Sequence, residues 1–215
     1  MDYLEILFCT ILAYLIGSIP TSVWLSSLVY GIDIRDHGLG NASHSNVHQV
    51  LGNKAGLLVR LLDISKGMLA ASLALMIHNK YGLFSEWEYP LLTMSFGLAA
   101  ILGHIFPFFA GYRGGKGFHV TFGVLFAIHP PLTLVFCGCA LVGYLLFRYP
   151  SLAYVMAALA VVVFSFFAAK SFDWLQLPLQ VFSIITFGLL MMTHREELRG
   201  IASFSFPQGR RSGKK

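Results

Sequence analysis

The chain has 215 residues, of which 56% are hydrophobic and only 12% charged, with a mean hydropathy of +0.70. Such values lie outside the range of soluble globular domains and indicate an integral membrane protein. The net charge of +5 reads as an orientation signal and a contact with anionic headgroups, which excludes a nucleic-acid footprint.

Hydropathy and helix-breaking residues predict an all-α membrane protein with about seven spans, near residues 4–28, 55–78, 90–111, 116–128, 130–147, 151–169 and 174–193. The first begins at Met1-Asp2-Tyr3-Leu4-Glu5, which lacks the basic segment of a secretory signal, so this span is expected to be retained. A loop from Gly31 to Lys54 follows, containing Gly38-Leu39-Gly40-Asn41 and Ser43-His44-Ser45-Asn46-Val47-His48-Gln49, and it is too polar to cross a bilayer.

The second span carries Arg60, Asp63 and Lys66 at three-residue spacing. Each costs about 2.5 to 3.5 kcal/mol at mid-membrane on insertion scales, so they should face protein or a wet cavity, with Asp63 paired to both cations. Two readings stand: a purely structural ion-pair triad, or a polar wall under the loops.

The third span leads into Gly103-His104-Ile105-Phe106-Pro107-Phe108-Phe109-Ala110-Gly111-Tyr112-Arg113-Gly114-Gly115-Lys116-Gly117. Gly114, Gly115 and Gly117 let the backbone around Lys116 approach a ligand. The apolar helix starting near Phe118 should present free N–H groups, an arrangement that favours an anion. The block misses the nucleotide-binding P-loop pattern by one residue of spacing, and Gly117 stands where a magnesium-binding hydroxyl would be, which argues against an ATPase. His104 is a candidate for hydrogen-bonding phosphate or the loop; a structural His satisfied by a backbone carbonyl is the alternative. The fourth span is short, expected to be re-entrant or broken, and ends at His129-Pro130-Pro131. The last span ends in a third polar cluster, Thr193-His194-Arg195-Glu196-Glu197.

Loop Lys and Arg set the orientation. An outside N-terminus puts Arg35, Lys54, Arg113, Lys116, Arg148, Arg195, Arg199, Arg210, Arg211, Lys214 and Lys215 in the cytoplasm, leaving Lys80 and Lys170 outside. The three polar clusters then share the cytoplasmic face. Cys9, Cys137 and Cys139 sit in apolar runs without metal-ligand neighbours and read as packing residues. No linker or repeat divides the chain, so residues 1–202 form one domain and residues 203–215 a basic cytoplasmic tail.

Gly17-Ser18-Ile19-Pro20, the Gly-x-Gly-Asn at 38–41, Asn46, Asp63-x-x-Lys66-Gly67, Gly103-His104 through Gly117, and His194-Arg195 together resemble, in order and in placement between spans, the bacterial acyl-phosphate-dependent glycerol-3-phosphate acyltransferases, the PlsY family. The resemblance implies a seven-helix enzyme of the bacterial inner membrane. Such an enzyme moves a fatty acyl group from acyl phosphate to the 1-hydroxyl of glycerol 3-phosphate, giving lysophosphatidic acid in the first step of phospholipid synthesis. It implies no cofactor, metal or acyl-CoA. By position it assigns His194, Lys116 and Asn41 to catalysis, and Gly38, Gly40, Asn46, Asp63, Lys66, His104, Gly114, Gly115 and Gly117 to substrate binding. Partners are the two substrates and membrane lipids, and the enzyme that makes acyl phosphate is a candidate.

This chain departs from the family pattern at Leu39 (usually Ser), Gln49 (usually Arg) and Glu197 (usually Asn), and also at Ser43, Ser45 and Arg113. Either the site is rebuilt, with His44, His48 or Arg60 supplying donors and Ser43 or Ser45 a hydroxyl, or the chain is a weakened relative that uses another acceptor or only binds lipid precursors. A small transporter lined by Arg60, Asp63 and Lys66 is the other class of reading; the near absence of charge in the remaining spans argues against a continuous path.

Overall fold

The structure, a computed structural model, describes residues 3–81, 88–168 and 173–202; the basic tail and Lys170 lie outside these residues. Among the described residues every regular element is helical: α1 (Tyr3–Ser18), α2 (Thr21–Tyr30), α3 (His44–Leu51), α4 (Asn53–Tyr81), α5 (Glu88–Ile105), α6 (Phe118–Ile128), α7 (Pro130–Phe147), α8 (Pro150–Ala168) and α9 (Asp173–Ala202), with short 3₁₀ turns at Ile34–Asp36 and Phe108–Ala110.

Four helical segments are long and apolar enough to cross a bilayer, at Tyr89–Ala110, Pro130–Phe147, Pro150–Phe167 and Leu177–Ile201. The pair α1 and α2, bent by 40° at Ile19-Pro20, makes a fifth if taken as one span. Seven were expected. The difference lies in α6, whose 11 residues reach only about 16 Å at 1.5 Å per residue, and in α4, which has the length but carries Arg60, Asp63 and Lys66. The last polar cluster, Thr193 to Glu197, lies within α9, which runs on to Ala202.

Prolines place the breaks. Pro20 lacks a backbone donor and interrupts the first span between α1 and α2. At the α6–α7 junction His129 takes an extended backbone conformation, and its Nδ1 accepts from the Leu132 N–H at 3.1 Å. Pro130 and Pro131 then occupy the first turn of α7, where a missing donor costs nothing.

Apolar side chains occupy both the interior and the outside. Phe96, Phe136, Phe182 and Leu190 are buried, while Leu28, Phe167, Leu4 and Leu134 are largely exposed. An apolar exterior needs a lipid solvent. Cys9, Cys137 and Cys139 pack against the core as small hydrophobes.

Helices that bury little apolar surface relative to lipid associate through close packing, which small residues permit. Gly67 of α4 lies against the Val120 carbonyl, and Gly123 of α6 against the Ile64 carbonyl. A Cβ at either position would overlap a neighbour's main chain, which cannot rotate away. Gly67→Ala and Gly123→Ala are each expected to lower stability by about 1 to 3 kcal/mol, measured as unfolding in detergent. Unchanged midpoints would show that α4 and α6 do not pack this closely.

Candidate active site

The site begins with two loops that brace each other. Asp33 accepts from the Arg35 backbone N–H and, through both oxygens, from its guanidinium; these bonds hold its carboxyl below the usual carboxylate range. Arg35 Nη1 also donates to the Ala110 carbonyl at 2.7 Å, tying the loop after α2 to the loop after α5. Gly38 and Gly40 then turn the chain through left-handed conformations, φ 56° and 72°.

Asn46 was expected to meet substrate. The structure commits it to this loop: it is fully buried, its Oδ1 accepts from the Leu39 N–H at 2.7 Å, and its Nδ2 hydrogens are shared among the carbonyls of Ile34, His37 and Asn41. Asn41 is only partly buried; its Oδ1 accepts from the Ser43 N–H at 3.0 Å. Ser43 caps α3 through its Oγ, which also lies 2.9 Å from the Ser45 hydroxyl.

Beneath the loops lies a buried ion pair. Asp63 and Lys66 are 1% and 4% exposed, with Lys66 Nζ 2.9 Å from Asp63 Oδ1. The Thr21 hydroxyl donates to the same oxygen at 2.7 Å, His104 Nδ1 stands 3.6 Å away, and Lys66 also donates to the Ile19 carbonyl beside the Pro20 break at 3.0 Å. The expected triad is thus a pair, and two of the three Lys66 ammonium hydrogens are taken by Asp63 and the Ile19 carbonyl. Helical geometry explains it: residues six apart lie about 120° apart around a helix, so Asp63 follows Lys66 toward the α1–α2 break. Arg60 turns instead to His44, with Nη2 3.0 Å from Nε2.

The glycine-rich loop also differs from expectation. The N–H groups of Gly114 and Gly115 donate to the carbonyls of Ile105 and His104 at 3.2 and 3.1 Å, so they seal the end of α5 and do not reach a ligand. His104 supports the loop through that carbonyl, and its ring lies where any side chain at Gly115 would stand. The open donors come one turn later. Gly117, at φ 88°, starts α6 with no side-chain cap, which leaves the first N–H groups of an apolar helix available to an anion. Lys116 Nζ is paired with Glu197 of α9, and the Thr193 hydroxyl donates to the Lys116 carbonyl at 2.9 Å.

These pieces border one narrow cleft, lined by Ser43, His44, Ser45, Asp63, His104, Lys116, Gly117, Phe118, His119, Tyr154 and His194. All three polar clusters of the sequence reach it. His194 is 1% exposed, and its Nδ1 lies 2.9 Å from the Leu190 carbonyl. Since a carbonyl only accepts, Nδ1 carries the proton and Nε2 is the acceptor nitrogen. His44 follows the same logic, because a guanidinium only donates: its Nε2 accepts from Arg60. Burial, and then the Arg60 charge, push His44 down to about 4, so it is neutral at physiological pH.

Two cleft residues escape local sequence reading. His119 packs edge-on to His44 at 4.7 Å, and Tyr154 stacks on Phe118 at 3.8 Å and meets His194 at 5.8 Å. His119 had one available signal, a polar residue in the first turn of the helix after the glycine loop; Tyr154, in an apolar run, had none. Leu39 and Gln49 are exposed and do not line the cleft. A larger apolar groove between Leu4, Phe8, Leu73 and Met76 lies along α1 and α4 away from these residues.

The family model for glycerol-3-phosphate acyltransferase matches residues 7–203. Proteins named glycerol-3-phosphate acyltransferase from Chlorobium phaeobacteroides and Geobacillus kaustophilus are 38% and 37% identical, over 89% and 95% of this chain and 91% and 96% of theirs. Crystal structures of PlsY, an integral membrane glycerol 3-phosphate acyltransferase, superpose with TM-scores of 0.81 for its glycerol 3-phosphate form and 0.78 for its lysophosphatidic acid form. Their identities to this chain are 33% and 32%, with 95% of both chains covered in each case. A match over nearly the whole sequence, and over the helices that build the cleft, places this chain in the glycerol-3-phosphate acyltransferase family.

Proposed function

We propose that the protein transfers a fatty acyl group from acyl phosphate to the 1-hydroxyl of glycerol 3-phosphate, giving lysophosphatidic acid and inorganic phosphate. The observation that carries this reading is the joint lining of one cleft by the uncapped start of α6 and by His194, whose ring is fixed by the Leu190 carbonyl. The first suits a phosphate and the second an alcohol. Relatives named for glycerol 3-phosphate acylation, with structures in substrate and product forms, support the same substrate class.

In this reading the 1-hydroxyl donates to His194 Nε2, which orients its oxygen toward the acyl carbonyl carbon. The oxygen forms the new ester bond as the carbonyl–phosphate bond breaks, and the departing phosphate takes up the hydroxyl proton. The donor is already activated, so positioning and charge stabilisation are sufficient and no covalent enzyme intermediate is needed. Ser43, Ser45 and the first N–H groups of α6 hold phosphate oxygens, while Asp63, Lys66, Asn46 and His104 keep the loops in place.

We place the cleft at the cytoplasmic face and the N-terminus outside, in a bacterial inner membrane. Support comes from Arg35, Lys54, Arg113, Lys116, Arg195 and Arg199, which belong to the loops and helix ends on the cleft side. In this arrangement α4 also crosses, with Asp63 and Lys66 turned into protein, and α6 reaches partway.

Purified protein in lipid, supplied with acyl phosphate and labelled glycerol 3-phosphate, is expected to form lysophosphatidic acid. Folded protein that forms none would contradict the reading.

A further inference from the structure

A substrate phosphate brings two negative charges, and the cleft's cations differ in what already neutralises them. Lys66 is held by Asp63, Lys116 by Glu197 and Arg35 by Asp33. Arg195 and Arg199 both meet Glu196. Among the described residues, Arg60 alone donates to a cleft-lining side chain without a carboxylate in ion-pair reach, and the side chain it meets, His44, is neutral.

We propose that Arg60, steered by His44, is the cation that binds substrate phosphate in this protein. A guanidinium has five N–H donors in a planar fork. His44 takes one, which leaves a second edge for two phosphate oxygens. Arg60 itself is exposed, while His44 is 8% exposed, lies between Ser43 and Ser45 in sequence and lines the cleft with them. His44 therefore fixes where a mobile side chain holds its charge and acts as a positioning residue. Arg60 lies on α4, one turn before Asp63, so its reach is set by the same helix that carries the buried ion pair.

The alternative source of phosphate is a lipid headgroup, since an exposed Arg near a helix end reaches the bilayer interface. The two sources are separable. The inference rests on the cleft being a phosphate site, so binding is measured apart from turnover. Inorganic phosphate is titrated calorimetrically into the full-length protein in neutral detergent, for wild type, Arg60→Gln, Arg60→Lys, His44→Ala and the Arg60→Gln/His44→Ala double variant. Association with neutral and anionic phospholipid vesicles is measured in parallel.

Arg60→Gln is expected to weaken phosphate binding at least about tenfold, and Arg60→Lys to recover part of it. His44→Ala is expected to weaken it severalfold, but to add little once Arg60 is gone, because both act through one contact. An unfolding midpoint for Arg60→Lys like that of wild type excludes a folding effect. Equal phosphate affinity in wild type and Arg60→Gln overturns the inference while leaving the acyltransferase reading intact. Loss of anionic-vesicle binding with phosphate affinity retained also overturns it and assigns Arg60 to headgroups. Wild type that turns over substrate without Arg60-dependent phosphate binding overturns it as well, whereas wild type that binds phosphate without forming lysophosphatidic acid defeats only the acyltransferase reading.

Discussion

Lys116→Ala is expected to lower kcat/KM for acyl transfer by about 100-fold or more, and adding Glu197→Gln to that variant is expected to restore part of the loss. The reason is the pairing of the two side chains, 12% and 24% exposed, at the mouth of α6. Removing the ammonium leaves a carboxylate facing phosphate groups of like charge. Losing a charge-assisted contact and gaining a repulsion costs a few kcal/mol, and each 1.4 kcal/mol is a factor of ten in rate. Glu197→Gln alone should release Lys116 toward substrate and lower KM for the phosphate-bearing substrates. Steady-state kinetics in lipid read all three variants. If the double variant is no faster than Lys116→Ala, Lys116 acts on substrate directly and not by masking Glu197; if Lys116→Ala retains full activity, the residue has no place in the site.

Asp63→Ala is expected to destabilise the protein by about 3 to 5 kcal/mol, because it leaves a buried ammonium without its counter-ion. Lys66 is 4% exposed and would keep only the Ile19 carbonyl. The Thr21 hydroxyl, which donates to Asp63 at 2.7 Å, would lose its acceptor too. Removing both charges together, as Asp63→Asn with Lys66→Met, should recover most of the loss, since replacing a whole buried pair by uncharged residues is often close to neutral. Unfolding midpoints in one detergent compare the three proteins. A double variant as unstable as Asp63→Ala would show that the pair itself, and not the orphaned charge, holds α4 to the α1–α2 break.

Some of this architecture is legible in the sequence because it depends on neighbours along the chain. Apolar runs define the helices, Pro130-Pro131 define a break, and three-residue spacing puts Asp63 beside Lys66 on one helix. Other features depend on residues far apart, which no periodicity records. Lys116 meets Glu197 across 81 residues, and Arg60 meets His44 across 16 through the folding of a loop that contains its own helix. Asn46 reads as a ligand because it is a polar residue in a polar loop; only the turns at Gly38 and Gly40 bring it inside, where backbone groups saturate it. The glycines of the Gly-Gly-Lys-Gly block suggest a backbone cradle, yet Gly114 and Gly115 are small so that the loop can close on His104 and Pro107. The count of seven spans comes from apolar runs alone; four helical segments, or five with the bent pair, are long and apolar enough to cross, because α6 is short and α4 carries charges, two of which are buried as a pair.

The measurement closest to the central claim compares donors. Purified protein in lipid is given glycerol 3-phosphate with either acyl phosphate or acyl-CoA, and lysophosphatidic acid and inorganic phosphate are quantified together. Lysophosphatidic acid is expected from acyl phosphate only, with one phosphate released per ester formed. Product from acyl-CoA, or phosphate release without ester from folded protein, would contradict it.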